Sequence, residues 1–180
     1  SSDLVRRGLR FLMSTAGQLT AENTIQQGAN SPDSNGNGFV LYSSRNDHQV
    51  YLSGQVIDAI VASGTPNALA DTGVAAYVRG RTYKAVVQDM LDGYAQGMND
   101  DKGMWLYTPN TGVAGGYGSG DVSASHWWAA GVLAAEGWGL DASVWVKNLV
   151  ADPGIVNAHN AADANGACMW YYRNEPGYGS

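Results

Sequence analysis

The sequence is poor in cysteine and in basic residues, and it has no long apolar run. Its single cysteine, Cys168, excludes an internal disulfide framework and a cysteine-rich zinc site. Lys and Arg total 10 against 16 Asp and Glu, giving a net charge of -6 and a pI near 4.8. That balance argues against a nucleic-acid surface, which needs a basic patch. The one basic cluster, Arg6, Arg7 and Arg10, has helical spacing and reads as a solvated face. No stretch approaches the roughly 20 apolar residues of a membrane-spanning helix. Charged residues make up only 14% of the chain and hydrophobic ones 44%, the profile of a compact chain rather than a disordered one. At 180 residues it can bury a core within one domain. It opens on Ser1 rather than Met and relies on Gly, Asn, Ser and Thr instead of charge for solubility, so we expect a processed, extracellular protein.

What the chain does contain is a repeat. Gly38-Phe39-Val40-Leu41-Tyr42 is followed by Gly103-Met104-Trp105-Leu106-Tyr107 and then by Cys168-Met169-Trp170-Tyr171-Tyr172. The interval from Tyr42 to Tyr107 is 65 residues, and so is that from Tyr107 to Tyr172. A fixed period of this kind signals units that bury their apolar faces against one another. Cys168 stands where Gly38 and Gly103 stand, so it reads as a small packing residue.

Helical patterns flank each phrase. We expect a first helix over Asp3 to Ala16, N-capped by Asp3 and closed by Gly17, with Leu4, Val5, Leu9, Leu12 and Met13 as its apolar stripe. The polar stretch from Gln18 to Gly38 reads as irregular. Further helices are expected over Gln49 to Ser63, Thr82 to Met98 and Val122 to Glu136, the last N-capped by Asp121 or Ser123. On the second of these, Tyr83, Val86, Val87, Met90, Leu91 and Tyr94 share a face; the third is rich in Ala129, Ala130, Ala134 and Ala135. A short helix over Ala142 to Val150 stops at Asp152-Pro153-Gly154. The fold class is therefore all-α, with units of about 1–66, 80–139 and 141–180 forming about two and a half consecutive αα-hairpins in a single domain.

The segments Val5-Arg6-Arg7-Gly8-Leu9-Arg10-Phe11-Leu12, Ala59-Ile60-Val61-Ala62-Ser63-Gly64-Thr65-Pro66, Gly80 to Met90 and Asp121-Val122-Ser123-Ala124-Ser125-His126-Trp127-Trp128 carry a resemblance. With the Gly-x-Trp-x-Tyr phrase they resemble α/α-toroid repeats of the squalene-cyclase and protein-prenyltransferase-like superfamily, nearest to its secreted bacterial and archaeal members. The resemblance implies a partial toroid. It does not carry the enzymes' chemistry: the Asp-x-Asp-Asp acid of the cyclases is missing beside Asp100-Asp101, as are a zinc set of Asp, Cys and His and the thioester Cys-Gly-Glu-Gln.

Three constellations have chemical potential. Asp121, Ser123 and His126 invite a hydrolase reading, and Asp121, His126 and Trp128 would line the cleft if this were a toroid enzyme acting on an isoprenoid or glycan. Helix capping and packing explain the same residues. Asp33-Ser34-Asn35-Gly36-Asn37-Gly38 matches the start of a calcium loop, with Asp33, Asn35 and Asn37 as oxygen ligands, although its twelfth position is Ser44 and only Asp47 offers an acid. Tyr42, Trp105, Tyr107, Trp127, Trp128, Trp170, Tyr171 and Tyr172 could line a glycan-binding concavity or fill a core. No cofactor beyond calcium is suggested.

The third unit lacks its returning helix after Trp170 and Tyr171, while Leu4, Leu9, Phe11 and Leu12 offer an apolar face at the other end. We therefore expect a non-catalytic structural module whose partners are copies of itself, docked head to tail into a ring, filament or surface layer.

Overall fold

The computed structural model describes residues 2–14, 19–22, 30–43, 48–71, 73–109 and 120–155. The third phrase, with Cys168, Trp170, Tyr171 and Tyr172, lies outside them, as do Gly17, Ser44 and Asp47. Regular structure is mostly helical: α1 (Ser2–Leu12), α2 (Gln49–Val61), α3 (Tyr83–Gly97), α4 (Val122–Glu136) and α5 (Val144–Leu149). One element was not expected. Leu19–Glu22 (β1) pairs antiparallel with Val40–Ser43 (β2), Leu19 opposite Ser43 and Glu22 opposite Val40, so part of the polar stretch is a strand.

Helix boundaries follow local chemistry. Asp121 caps α4 by accepting from the backbone N–H of Ser123 and Ala124, and Thr82 caps α3 by accepting from Ala85. Asp3 is not the cap of α1 but an acid within its first turn, paired with Arg7 one turn on. α1 stops at Leu12, earlier than expected, with Met13 and Ser14 in a closing turn. After α5 the chain continues as an irregular helical turn, Val150–Ile155, broken at Asp152, whose φ of -149° and ψ of 115° are extended. A following proline forces that conformation on the residue before it.

α2 and α4 lie side by side and run in the same direction. Tyr51 meets Ser123, Gly54 faces Trp127, and Ile57 faces Gly131, in rising order along both helices. Glycine permits this approach: a Cβ on Gly54 would stand 2.4 Å from the Trp127 carbonyl oxygen. α3 runs antiparallel to α2, since Tyr94 near its end donates to the Val50 carbonyl at the start of α2. Strand β2 crosses α3 at Gly93, where a Cβ would lie 2.1 Å from the Leu41 carbonyl oxygen.

α3 is the hub. Its apolar residues are buried as expected, and so are the polar residues Asp89, Asp92 and Gln96. α1 rests on the connection between α2 and α3, where Ala70, Val74, Ala75 and Val78 are buried with Leu9 and Met13. Arg6 and Arg10 both reach Asp71 there, at 2.6 and 2.8 Å. The basic cluster is thus more than a solvated face: two guanidinium groups share one carboxylate, which holds the Asp71 pKa well below the usual range.

The glycine contacts give a paired prediction. Gly93→Ala should destabilise the chain by about 2 kcal/mol or more in urea unfolding, because backbone must move. Gly8→Ala, on α1 with nothing within 4 Å of the new Cβ, should be neutral or stabilising by up to about 1 kcal/mol.

Candidate functional site

The parallel arrangement brings the N-terminal ends of α2 and α4 together, and the second phrase runs beside them. The Val50 N–H donates to the Tyr107 carbonyl, and the Asp121 N–H to that of Trp105. Four rings gather at this end. His48 stacks on Tyr107 with centroids 5.0 Å apart; Tyr51 stands edge-on to both, at 5.9 and 5.3 Å, and Trp127 lies 6.3 Å from Tyr51. His48 is exposed and the other three are half-buried.

Below the rings is a polar chain. The Tyr51 hydroxyl meets the Ser123 hydroxyl, and Ser123 Oγ donates to Asp121 Oδ1 at 2.7 Å. Asp121 is fully buried. Its Oδ2, together with Gln49 Oε1 and Trp128 Nε1, has no hydrogen-bond partner among the described residues. The predicted Asp121, Ser123 and His126 set is therefore only partly assembled. Ser123 is joined to Asp121 and Tyr51, whereas His126 is exposed and stands edge-on to Trp127 at 5.8 Å. A nucleophile needs its hydroxyl on the imidazole; here it points to a carboxylate already engaged in capping. Ser123 and Asp121 brace the rings.

The aromatic residues divide into two groups. Trp105 and Trp128 are core: they stack at 5.0 Å, Trp105 is edge-on to Tyr94, and its Nε1 donates to the Tyr94 carbonyl at 2.8 Å. Tyr107 and Trp127 belong to the half-exposed cluster. Tyr42 lines a crevice with Val50, Ser53, Tyr94, Trp105 and Pro109. That crevice has a cavity volume of about 10 Å³, roughly the space of one water molecule.

The Asp33–Gly38 loop docks on the polar side of α3. Asp33 Oδ1 accepts from the N–H of Gly36 and Asn37, and its Oδ2 from that of Gly38, at 2.8, 3.2 and 2.8 Å. Asn35 Oδ1 accepts from the Asn37 N–H and Asn37 Oδ1 from the Phe39 N–H. Both amide nitrogens donate to Asp89 Oδ1, at 2.6 and 2.8 Å, while Arg81 pairs with Asp89 Oδ2 and lies 4.7 Å from the Phe39 ring centroid. In this arrangement the loop oxygens hold the loop's own backbone, the amides turn nitrogen toward Asp89, and Arg81 is the neighbouring cation. Among the described residues no cluster of three or more His, Cys, Asp or Glu could hold a metal.

One turn along α3, Asp92 accepts from the Ser34 N–H and hydroxyl and from Gln88. Sequence reasoning singled out neither acid. Their signal was slight: Asp89 and Asp92, three residues apart, share a side of a helix that also carries Gln88 and Gln96, and such a side is ordinarily solvated. His48 and Tyr51 carried no such signal.

No protein-family model, curated protein or solved structure matches this chain. Among the described residues no helix is long and apolar enough to cross a membrane.

Burial, helped by the charge of Asp89, raises the Asp92 pKa from 3.8 to about 6. The folded chain therefore keeps a proton that the unfolded chain has lost, and this contribution to stability falls as pH rises from about 4 to about 6. Asp92→Asn should remove that part of the slope, with a difference from the parent on the order of 2 kcal/mol between the two ends. Urea unfolding of both proteins across that pH range measures it.

Proposed function

We propose that this chain is a non-catalytic extracellular interaction module, built as a partial α/α toroid, that associates head to tail with copies of itself. The observation that carries the reading is the outward side of α1. Leu4, Val5 and Phe11 are 68%, 55% and 51% exposed, and Gly8, between Leu4 and Phe11 on the same stripe, has open space above it. At the far end of the helix series Leu133 of α4 and Val144 of α5 are 68% and 72% exposed. Exposed apolar side chains at two different places on one molecule favour a heterologous contact, which closes into a ring or runs on as a filament. Leu9, expected on the docking face, is turned into the core with 6% exposure, and Leu12 is half-buried, so the interface falls to Leu4, Val5 and Phe11. The parallel pairing of the returning helices α2 and α4, with α3 antiparallel to α2, supports the toroid component.

A second reading has its own observation. The cluster of His48, Tyr51, Tyr107 and Trp127 offers half-exposed rings bearing polar tips, the surface chemistry on which a neutral glycan stacks. Its rings are in contact and leave no room for a ligand between them, so binding would be on the surface.

Sedimentation of the chain over a wide concentration range tests the first reading. The unaltered protein should shift to larger species, and Leu4→Glu with Phe11→Glu should hold it monomeric with unchanged circular dichroism. A monomer at every concentration would end the proposal. For the glycan reading, Trp127→Ala should abolish saturable oligosaccharide binding; binding that survives it assigns the platform elsewhere.

A further inference from the structure

The loop on α3 contains two Asn–Gly steps, Asn35-Gly36 and Asn37-Gly38. This is the dipeptide most prone to spontaneous deamidation, because glycine leaves its own backbone nitrogen unhindered. In that reaction the glycine nitrogen loses its proton and attacks the asparagine Cγ. A C–N bond forms, ammonia leaves with the side-chain nitrogen, and a succinimide results. Water then opens the ring to aspartate or isoaspartate. Neither oxidant nor enzyme is required.

Every reacting atom is restrained here. The attacking nitrogens, Gly36 N and Gly38 N, donate to the two oxygens of one carboxylate, Asp33, each at 2.8 Å. A carboxylate in that position disfavours the amide anion that must attack, and the bonds fix the nitrogens away from the side chains. The leaving groups are fixed as well, since Asn35 Nδ2 and Asn37 Nδ2 both donate to Asp89 Oδ1. All four loop residues from Asn35 to Gly38 are nonetheless exposed, so water is at hand.

We infer that Asn35 and Asn37 are deamidation sites held closed by Asp33 and Asp89, and that their reaction releases the loop irreversibly. The second half follows from charge. Deamidation replaces an N–H donor by a carboxylate facing Asp89, which is fully buried and has Arg81 as its ion-pair partner. Two carboxylates at hydrogen-bond distance, one of them buried, repel one another. The loop that docked through those amides is then expelled from α3. Opening and reaction drive each other, and the change records how long the loop has been open.

Peptide mapping of the intact chain, incubated at mildly alkaline pH with and without urea, provides the test. Deamidation at both steps should be slower in the folded protein by on the order of 10-fold or more, in proportion to the closed population of the loop. Asp33→Ala, checked for folding by circular dichroism, should move the native rate toward the denatured one. Deamidated protein separated by ion exchange should show faster hydrogen exchange at Gly36, Asn37 and Gly38. Equal rates in native and denatured chains overturn the inference, and this comparison needs no variant to fold. A slow native rate unchanged in folded Asp33→Ala removes the role of Asp33, and unchanged exchange after deamidation removes the release.

Discussion

The architecture depends on the burial of Trp105. It comes from the second aromatic phrase, has no exposed surface, lies edge-on to Tyr94 of α3 and stacks on Trp128 of α4. Its ring nitrogen is satisfied by the Tyr94 carbonyl, so the site accepts an indole without leaving a polar atom stranded. The phrase also ties down both neighbouring helix starts, through Asp121 to Trp105 and Val50 to Tyr107. An extended segment that crosses between helices must satisfy its own backbone, and these bonds show how a short phrase serves as a structural unit.

A polar counterpart holds the opposite side of α3. Burying Asp89 and Asp92 would be costly without partners. The Asn- and Gly-rich loop supplies them, two amides to Asp89 and a serine to Asp92, while Arg81 meets the remaining charge. The same loop is folded on itself by Asp33, so a segment with little apolar content acquires one conformation. Its chemistry, its pH response and its susceptibility to covalent change all come from this one docking contact. The ring cluster at the N-terminal ends of α2 and α4 is built differently, with a hydroxyl chain from Tyr51 through Ser123 to the capping carboxylate of Asp121.

Sequence read the helices well where a local signal exists. α4 begins and ends where the Asp121 cap and Gly137 place it, while α3, expected over Thr82 to Met98, is one residue shorter at each end, with Thr82 as its cap. Strand β1 was not legible, because the alternation of Leu19-Thr20-Ala21-Glu22 is only four residues long inside a polar stretch, and its conformation depends on pairing with β2. Nor was the buried connection with Val74, Ala75 and Val78, a short segment between Gly73 and Gly80 that folds as turns rather than as a helix or strand. In the candidate site Trp127, Tyr107 and Asp121 were visible as residues, yet their division into core and surface was not. Trp127 and Trp128 are neighbours in sequence, and only the close packing of α2 on α4 decides which of them is buried. Asp89 was passed over because an acid on the polar side of an amphipathic helix is ordinarily solvated.

The central claim is that the repeated aromatic phrase is a packing element that wedges helices together, leaving interaction to the exposed stripe of α1 and the half-exposed rings. A double-mutant cycle between Trp105 and Trp128, each replaced by leucine and measured by urea unfolding, tests it most directly. The account predicts a coupling energy of about 1 kcal/mol or more, as expected for stacked rings in a shared core. Additive effects, with the coupling within about 0.3 kcal/mol of zero, would contradict it.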